Sequence, residues 1–198
     1  MTDFSPAYTQ AFGIVIGEEG GFGAEPADPG NWTSGIVGQG RCLGTKYGVD
    51  TASYADTLRR MPPDVAASMP ASVAGLTLDQ ARAIYQHCYW ALVSGDALPP
   101  PLALMVFDAA VNNGPARAAR WLQAAVDAAV DGQIGPETLK AVAATASHEG
   151  GAALCAEYLA QRIAFMGSLP TWRTFGLGWS RRLAALPFKA MNMTGSAK

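Results

Sequence analysis

An apolar helix that runs into a glycine pair, followed by a long stretch rich in glycine and proline, constrains this chain more than any other feature. Phe4, Tyr8, Phe12, Val15 and Ile16 recur at helical spacing. Ser5-Pro6 supplies an N-cap with proline at the first helical position, so the pattern predicts an amphipathic helix from residue 6 to about residue 19. Gly20-Gly21 is expected to end it. Residues 20 to 56 are then rich in Gly, Pro, Asp, Asn and Thr, which predicts loops and a small β-hairpin around Gly35 to Gly48. Two carboxyl groups bracket the change. At the end of a helix, Glu19 would meet a dipole and an apolar face that both disfavour the carboxylate, and its pKa is expected to rise as a general acid requires. Asp28, in the polar turn before Pro29, is expected to stay ionised and to hold or deprotonate a water. Such a pair can hydrolyse a glycosidic bond, with inversion at a carboxyl separation of roughly 6.5–9.5 Å and retention at about 5 Å. The spacing alone fits a solvated helix end and a turn-former better, since acid pairs beside Gly-rich turns are common.

The rest of the composition narrows the class. With 198 residues, 49% of them hydrophobic and 15% charged, the chain can bury one sizeable core, with room for a smaller annex. No run reaches the roughly 18 apolar residues of a membrane span, so no membrane insertion is expected. Met1-Thr2-Asp3-Phe4-Ser5-Pro6 lacks the positive region of a signal peptide, and the expected site of synthesis is a cytoplasm without Sec-type export. The net charge is −2 with scattered Lys and Arg, which argues against a nucleic-acid partner. Arg173, Arg181, Arg182 and Lys189 form a local concentration that reads as a solvated helical face. Cys42, Cys88 and Cys155 are odd in number and far apart, against a disulfide framework, and are expected in the core. Neither His87-Cys88 nor His148 has a partner at a metal-ligand spacing, so no metal and no cofactor is expected. A Cys42/His87 peptidase pairing has no local nucleophile signature to support it.

Farther along, Pro62-Pro63 and Pro70 punctuate a connector over 57 to 76. Thr77 caps a helix whose face is Leu78, Ala81, Ile84, Tyr85, Cys88 and Leu92, and which Gly95 stops. Pro99-Pro100-Pro101 opens a helix with Asp108 and Asn112 on one face at i and i+4. Asn113-Gly114 ends it, and Pro115 begins another that runs to about Val130. Asp131-Gly132-Gln133-Ile134-Gly135 forms a turn and Pro136 starts a short helix. Helices from about Gly151 to Gly167 and from about Leu177 to Leu186 follow, with residues 191–198 a frayed tail. Trp32, Tyr47, Tyr89 and Trp90 are candidates to stack on sugar faces, while Trp121 and Trp179 are assigned to the core. Asn112 could donate to a sugar hydroxyl or cap its helix. Asp131 and Thr138 read as turn and cap residues.

Several of these words resemble one family. Glu19-Gly20-Gly21-Phe22, Asp28-Pro29-Gly30 and Thr45-Lys46-Tyr47-Gly48-Val49 are similar to the E-G-G-Y…D-P-G-G-x-T-x-x-G-I signature of the glycoside hydrolase family 108 N-acetylmuramidases, the holin-associated endolysins and secretion-activator proteins. Phe107 through Pro115, Trp121-Leu122-Gln123, Asp131 through Leu139, and Phe175-Gly176-Leu177-Gly178-Trp179-Ser180-Arg181-Arg182 resemble the peptidoglycan-binding region that follows. The family's threonine is matched at its distance by Thr33 and in its T-x-x-G context by Thr45, with Ser34 to Gly44 resembling an insertion.

The resemblance implies a mainly α, lysozyme-like fold in which a small loop or β-hairpin region forms one cleft wall. Residues 1–96 would form the catalytic region and 97–190 a helical peptidoglycan-binding region. It implies cleavage of the β-1,4 bond between N-acetylmuramic acid and N-acetylglucosamine, with Glu19 as acid, Asp28 managing the water and Thr33 or Thr45 placing it. It further implies action on the cell wall after release through a holin or a secretion apparatus. A lytic transglycosylase, a non-catalytic wall-binding or secretion-assisting protein and a Cys-dependent amidase are the alternatives.

Overall fold

The computed structural model describes residues 4–17, 21–148 and 150–193. Its architecture is mainly helical with one small antiparallel sheet, the fold class expected from the sequence. The first helix, α1 (Pro6–Ile16), starts as predicted, with the Ser5 hydroxyl accepting from the Tyr8 amide at 3.2 Å. It ends earlier than the glycine pair. Gly17 takes the left-handed conformation at φ 73° and donates to the Gly13 carbonyl at 3.0 Å, a glycine stop at the helix C-terminus. Glu19, with Glu18 and Gly20, lies outside the described residues.

Chain contacts divide the molecule into two units, 12–88 and 3–11 with 89–193. The first is loop-rich. Strands β1 (Phe22–Gly23), β2 (Thr45–Lys46) and β3 (Val49–Asp50) pair in that order, Gly23 opposite Thr45 and Thr45 opposite Asp50. The hairpin thus occupies only the C-terminal end of the predicted stretch and runs two residues past it. Its two-residue turn is Tyr47-Gly48, both at positive φ, 51° and 73°, which matches the twist of paired strands. The part of that stretch before Cys42 is instead an excursion of turns, closed at its base by a bridge between Trp32 and Cys42. Asp50 then caps α2 (Thr51–Arg59), accepting from the Ser53 amide at 2.8 Å.

The expected connector contains structure of its own, the C-terminal end of α2, α3 (Pro63–Ala67) and a 3-10 turn at Val73–Gly75. Thr77 and Gln80 form a full capping box at the start of α4 (Leu78–Tyr85). A π turn over Gln86–Trp90 follows. Ala81, Ile84, Tyr85 and Cys88 are buried as predicted, but Leu78 and Leu92 are exposed. Leu78 is the first residue of the helix, and Leu92 lies past the wider turn, which rotates the face away from the core.

The second unit is an all-helical core. Helix α5 (Pro100–Asn113) is buried from Leu102 through Ala110 and packs against α6 (Pro115–Ala125), α8 (Gly151–Ser168) and α9 (Trp172–Ala190), while α7 (Pro136–His148) packs on α8. Helix α6 stops short of the predicted Val130 because Asp127 turns left-handed at φ 52°. Helices α7 and α9 are longer than expected. Near the centre of α5 sits Asp108, 2% exposed. Arg162 of α8 donates to its Oδ2 at 2.6 Å, and Arg182 of α9 donates to its Oδ1 through Nε at 2.8 Å. Arg182 thus keeps part of its side chain on the solvated face, 39% exposed, while its guanidinium reaches inward. It neutralises a buried carboxylate, since an unpaired charge could not be held there.

Cys88 and Cys155 are core residues, whereas Cys42 is half-buried at the base of the excursion. Trp121 is buried and Trp179 half-buried.

Candidate active site

Within the first unit a cavity of about 300 Å³ is lined by Gly21, Gly23, Glu25, Asp28, Asn31, Thr45 and Gly48. Each wall has a local cause. Asp28 precedes a 3-10 turn over Pro29–Asn31 and accepts from the Gly30 amide at 2.9 Å, which holds its carboxylate at the mouth of the turn. Gly30 leaves little room: a Cβ there would lie 3.3 Å from Asp28 Oδ1 and from Asp50 Cβ. Thr45 enters from β2, held between Gly23 and Asp50. Gly44, just before it, is at φ 83°, and a Cβ there would fall 2.5 Å from the Gly23 carbonyl and from the Phe22 ring. Gly48 passes equally close to the Tyr85 hydroxyl, 2.5 Å from where its Cβ would be.

Asn31 forms the floor. It is 3% exposed, donates through Nδ2 to the Glu25 carbonyl at 2.9 Å and accepts through Oδ1 from the Thr45 hydroxyl at 2.7 Å. Its own carbonyl accepts from the amides of Leu43 at 2.8 Å and Gly44 at 3.2 Å, so the start of the excursion is tied to its end. The Glu25 carboxylate, also on the cavity wall, accepts from the Ala27 amide at 3.2 Å. The sequence reading picked out neither Asn31 nor Glu25. A polar residue buried in a loop has no periodicity to announce it. The one available signal was that Asn31 stands where the resembled signature has glycine.

The cavity brings together Asp28 and Thr45 of the predicted residues. Thr33 lies elsewhere. It is exposed, its amide donates to the Arg41 carbonyl at 3.0 Å and its hydroxyl accepts from the Arg41 amide at 3.1 Å, so it fastens the base of the excursion. Trp32 is half-buried with its indole donating to the Pro26 carbonyl at 2.9 Å, outside the cavity lining. Tyr47 occupies the hairpin turn between two lining residues. Lys46 Nζ lies 5.4 Å from its ring centroid and donates to the Ala74 carbonyl at 3.0 Å.

Three predicted residues belong to the second unit. Tyr89 is half-buried there. Trp90 is fully buried, with ring centroids 5.4 Å from Tyr8 and from Phe107, and Gly95 is packed so close that a Cβ would lie 2.4 Å from the indole. It is a core residue and presents no face to a sugar. Asn112, within α5, donates to the Asp108 carbonyl one turn back at 2.7 Å. It also borders a small cavity of about 80 Å³ with Arg162, Trp179 and Arg182. Around the turn before α7, buried Gln123 donates to Asp131 Oδ1 at 2.7 Å and to Thr138 Oγ1 at 3.3 Å, and accepts from the Gly132 amide at 2.8 Å. These bonds, first that from Gln123 and then that from the Gln133 amide, hold the Asp131 carboxyl below its ordinary pKa.

Comparison with known proteins gives the arrangement its context. The model of the glycosyl hydrolase 108 family matches residues 12–114, and that of a predicted peptidoglycan domain matches residues 117–184. The solved structure of Brucella abortus SagA is similar at 32% identity and a TM-score of 0.73, covering 96% of this chain and 98% of that one. No curated protein matches this chain. A hydrolase region spanning about half the chain, a peptidoglycan domain behind it and a relative alike along almost its whole length agree: the chain belongs to glycosyl hydrolase family 108 and is a peptidoglycan hydrolase.

Proposed function

We propose that the chain is an N-acetylmuramidase that cleaves the β-1,4 bond between N-acetylmuramic acid and N-acetylglucosamine, with Glu19 as general acid, Asp28 as the group that receives a water proton and Thr45 as the group that places that water. The observation that carries this reading is the cavity in which Asp28 and Thr45 meet and whose lining begins at Gly21, two residues after Glu19 in the chain. Hydrolysis requires a proton for the departing glycosidic oxygen and a water deprotonated as it attacks the anomeric carbon. Two carboxyl groups in opposite protonation states supply both. Thr45 is preferred over Thr33 because it lines the cavity, whereas Thr33 lies outside the lining with its hydroxyl bonded to Arg41.

The substrate fixes where the enzyme works. Peptidoglycan lies beyond the cytoplasmic membrane, so the chain would reach it through a holin pore, as an endolysin of a phage or prophage, or through a secretion apparatus.

The test is product analysis of digested sacculi by mass spectrometry. The parental protein is expected to release muropeptides with hydrated, reducing N-acetylmuramic acid ends. Glu19→Gln should be slower by a factor on the order of 10²–10⁴. Anhydro-sugar ends would make it a lytic transglycosylase, and parental clearing by Glu19→Gln would make the protein a wall-binding module. Loss of activity on thiol alkylation would point to an amidase.

A further inference from the structure

We infer that Asn31 is the positioning residue of this site: it fixes the Thr45 hydroxyl so that Thr45 can only accept a hydrogen bond from the attacking water. The inference rests on the muramidase reading above and assigns a new role within it.

The Glu25 carbonyl oxygen can only accept, so the Asn31 atom 2.9 Å from it must be the NH₂ group, and the amide has one orientation. The atom facing Thr45 is then Oδ1, which can only accept, and the Thr45 hydroxyl must give its single hydrogen to it across 2.7 Å. What Thr45 has left for the cavity is lone pairs. A water between Thr45 and the Asp28 carboxylate therefore meets two acceptors, donates a hydrogen to each and turns its own lone pair away from both. A nucleophile about to lose a proton to Asp28 has to be oriented in this way. If Thr45 were free to rotate, its hydroxyl could donate to that lone pair instead and blunt the attack.

Burial makes the device rigid. Asn31 is 3% exposed, and its carbonyl is pinned by the Leu43 and Gly44 amides that lead directly into β2. The chain therefore returns from the excursion with Thr45 already in register against the amide. The two ends of the Asn31 side chain also have separable jobs. Nδ2 closes the 25–31 loop and is structural, while Oδ1 addresses the reacting site.

That separation gives the test. Steady-state kinetics on soluble muropeptide oligomers would compare the parent with Asn31→Leu, Asn31→Asp, Thr45→Val and the Asn31→Leu/Thr45→Val pair. Folding would be checked by circular dichroism. Asn31→Leu should lower kcat by about tenfold with KM nearly unchanged, as expected for misorientation without lost binding. Asn31→Asp keeps an acceptor for Thr45 but loses the donor to Glu25. It should recover part of that kcat although it loses stability. The double variant should be no slower than Thr45→Val alone, because Asn31 acts through that hydroxyl.

Parental kcat in Asn31→Leu, equal kcat losses in Asn31→Asp and Asn31→Leu, or additive losses in the pair would each overturn the inference. Should Asn31→Leu fail to fold, the same decision falls to Asn31→Asp with Thr45→Val, where additivity again counts against it. A Glu19→Gln variant as fast as the parent would instead sink the muramidase reading itself, so the two failures are distinct.

Discussion

Gly44 shows how little freedom single positions have around the cavity. Its φ of 83° and the 2.5 Å approach of a would-be Cβ to the Gly23 carbonyl leave no conformation for a side chain. Gly44→Ala is expected to cost about 1–3 kcal/mol and to displace Thr45, lowering both the thermal midpoint and the rate on sacculi. A rate unchanged beside a lowered midpoint would mean that the position of Thr45 is not transmitted to the cavity. At this scale the sequence was partly readable. Asp28 stood out as a carboxylate in a turn and Thr45 by its glycine context, but Asn31 did not. Its importance comes from a partner 14 residues away along the chain, and neither periodicity nor turn chemistry reports such a contact.

At the scale of elements, the turn between α6 and α7 is held by hydrogen bonds of Gln123 to Asp131 and from the Gly132 amide. Because the folded carboxyl of Asp131 is held below its ordinary 3.8, its contribution is complete above that value and disappears as pH falls through the lower folded one. Asp131→Asn should thus be less stable than the parent at neutral pH, with the gap closing as the pH falls below 3.8. Denaturant midpoints measured across that range check the sign, since a gap that widens on acidification would contradict it.

The elements of the second half were legible because prolines and glycines mark their starts: Pro100, Pro115, Pro136 and Gly151 each open a helix where expected. Helix α2 was not, because its sequence is largely polar and its only buried residues are Tyr54 and Thr57, too few to reveal a face. The π turn after Tyr85 was invisible for a related reason, since one wide turn leaves the apolar spacing before it intact.

Over the molecule as a whole, the two units are stabilised differently. The first adds backbone bonds, caps and left-handed residues around its loops to a small apolar core that includes Phe12, Val73, Leu76, Ile84 and Tyr85. The second relies on a helical core with one buried ionic cluster. Asp108 joins α5 to α8 and α9 through Arg162 and Arg182, and its loss would leave the guanidinium of Arg162, 1% exposed, without its carboxylate. Asp108→Asn is expected to destabilise by about 3–5 kcal/mol and lower the thermal midpoint by roughly 6–20 °C in a calorimetric scan. Arg182→Gln should cost less, because that side chain is 39% exposed and water can replace part of its bond. The reverse order would mean that the cluster is held together mainly at its outer end. Sequence placed Asp108 and Arg182 in family-like words but could not pair them, as they are 74 residues apart and belong to different helices.

The excursion between Trp32 and Cys42 is fastened at its base by backbone bonds and by Thr33, while Ile36, Val37 and Gly38 at its far end are exposed, with nothing within 4 Å of a Cβ built on Gly38. Evolution can therefore rewrite that tip, lengthening it or changing its polarity, while the clasp below keeps the cavity's geometry. For the same reason an experimenter gains a natural grafting point for a dye or an affinity handle on the unit that holds this cavity.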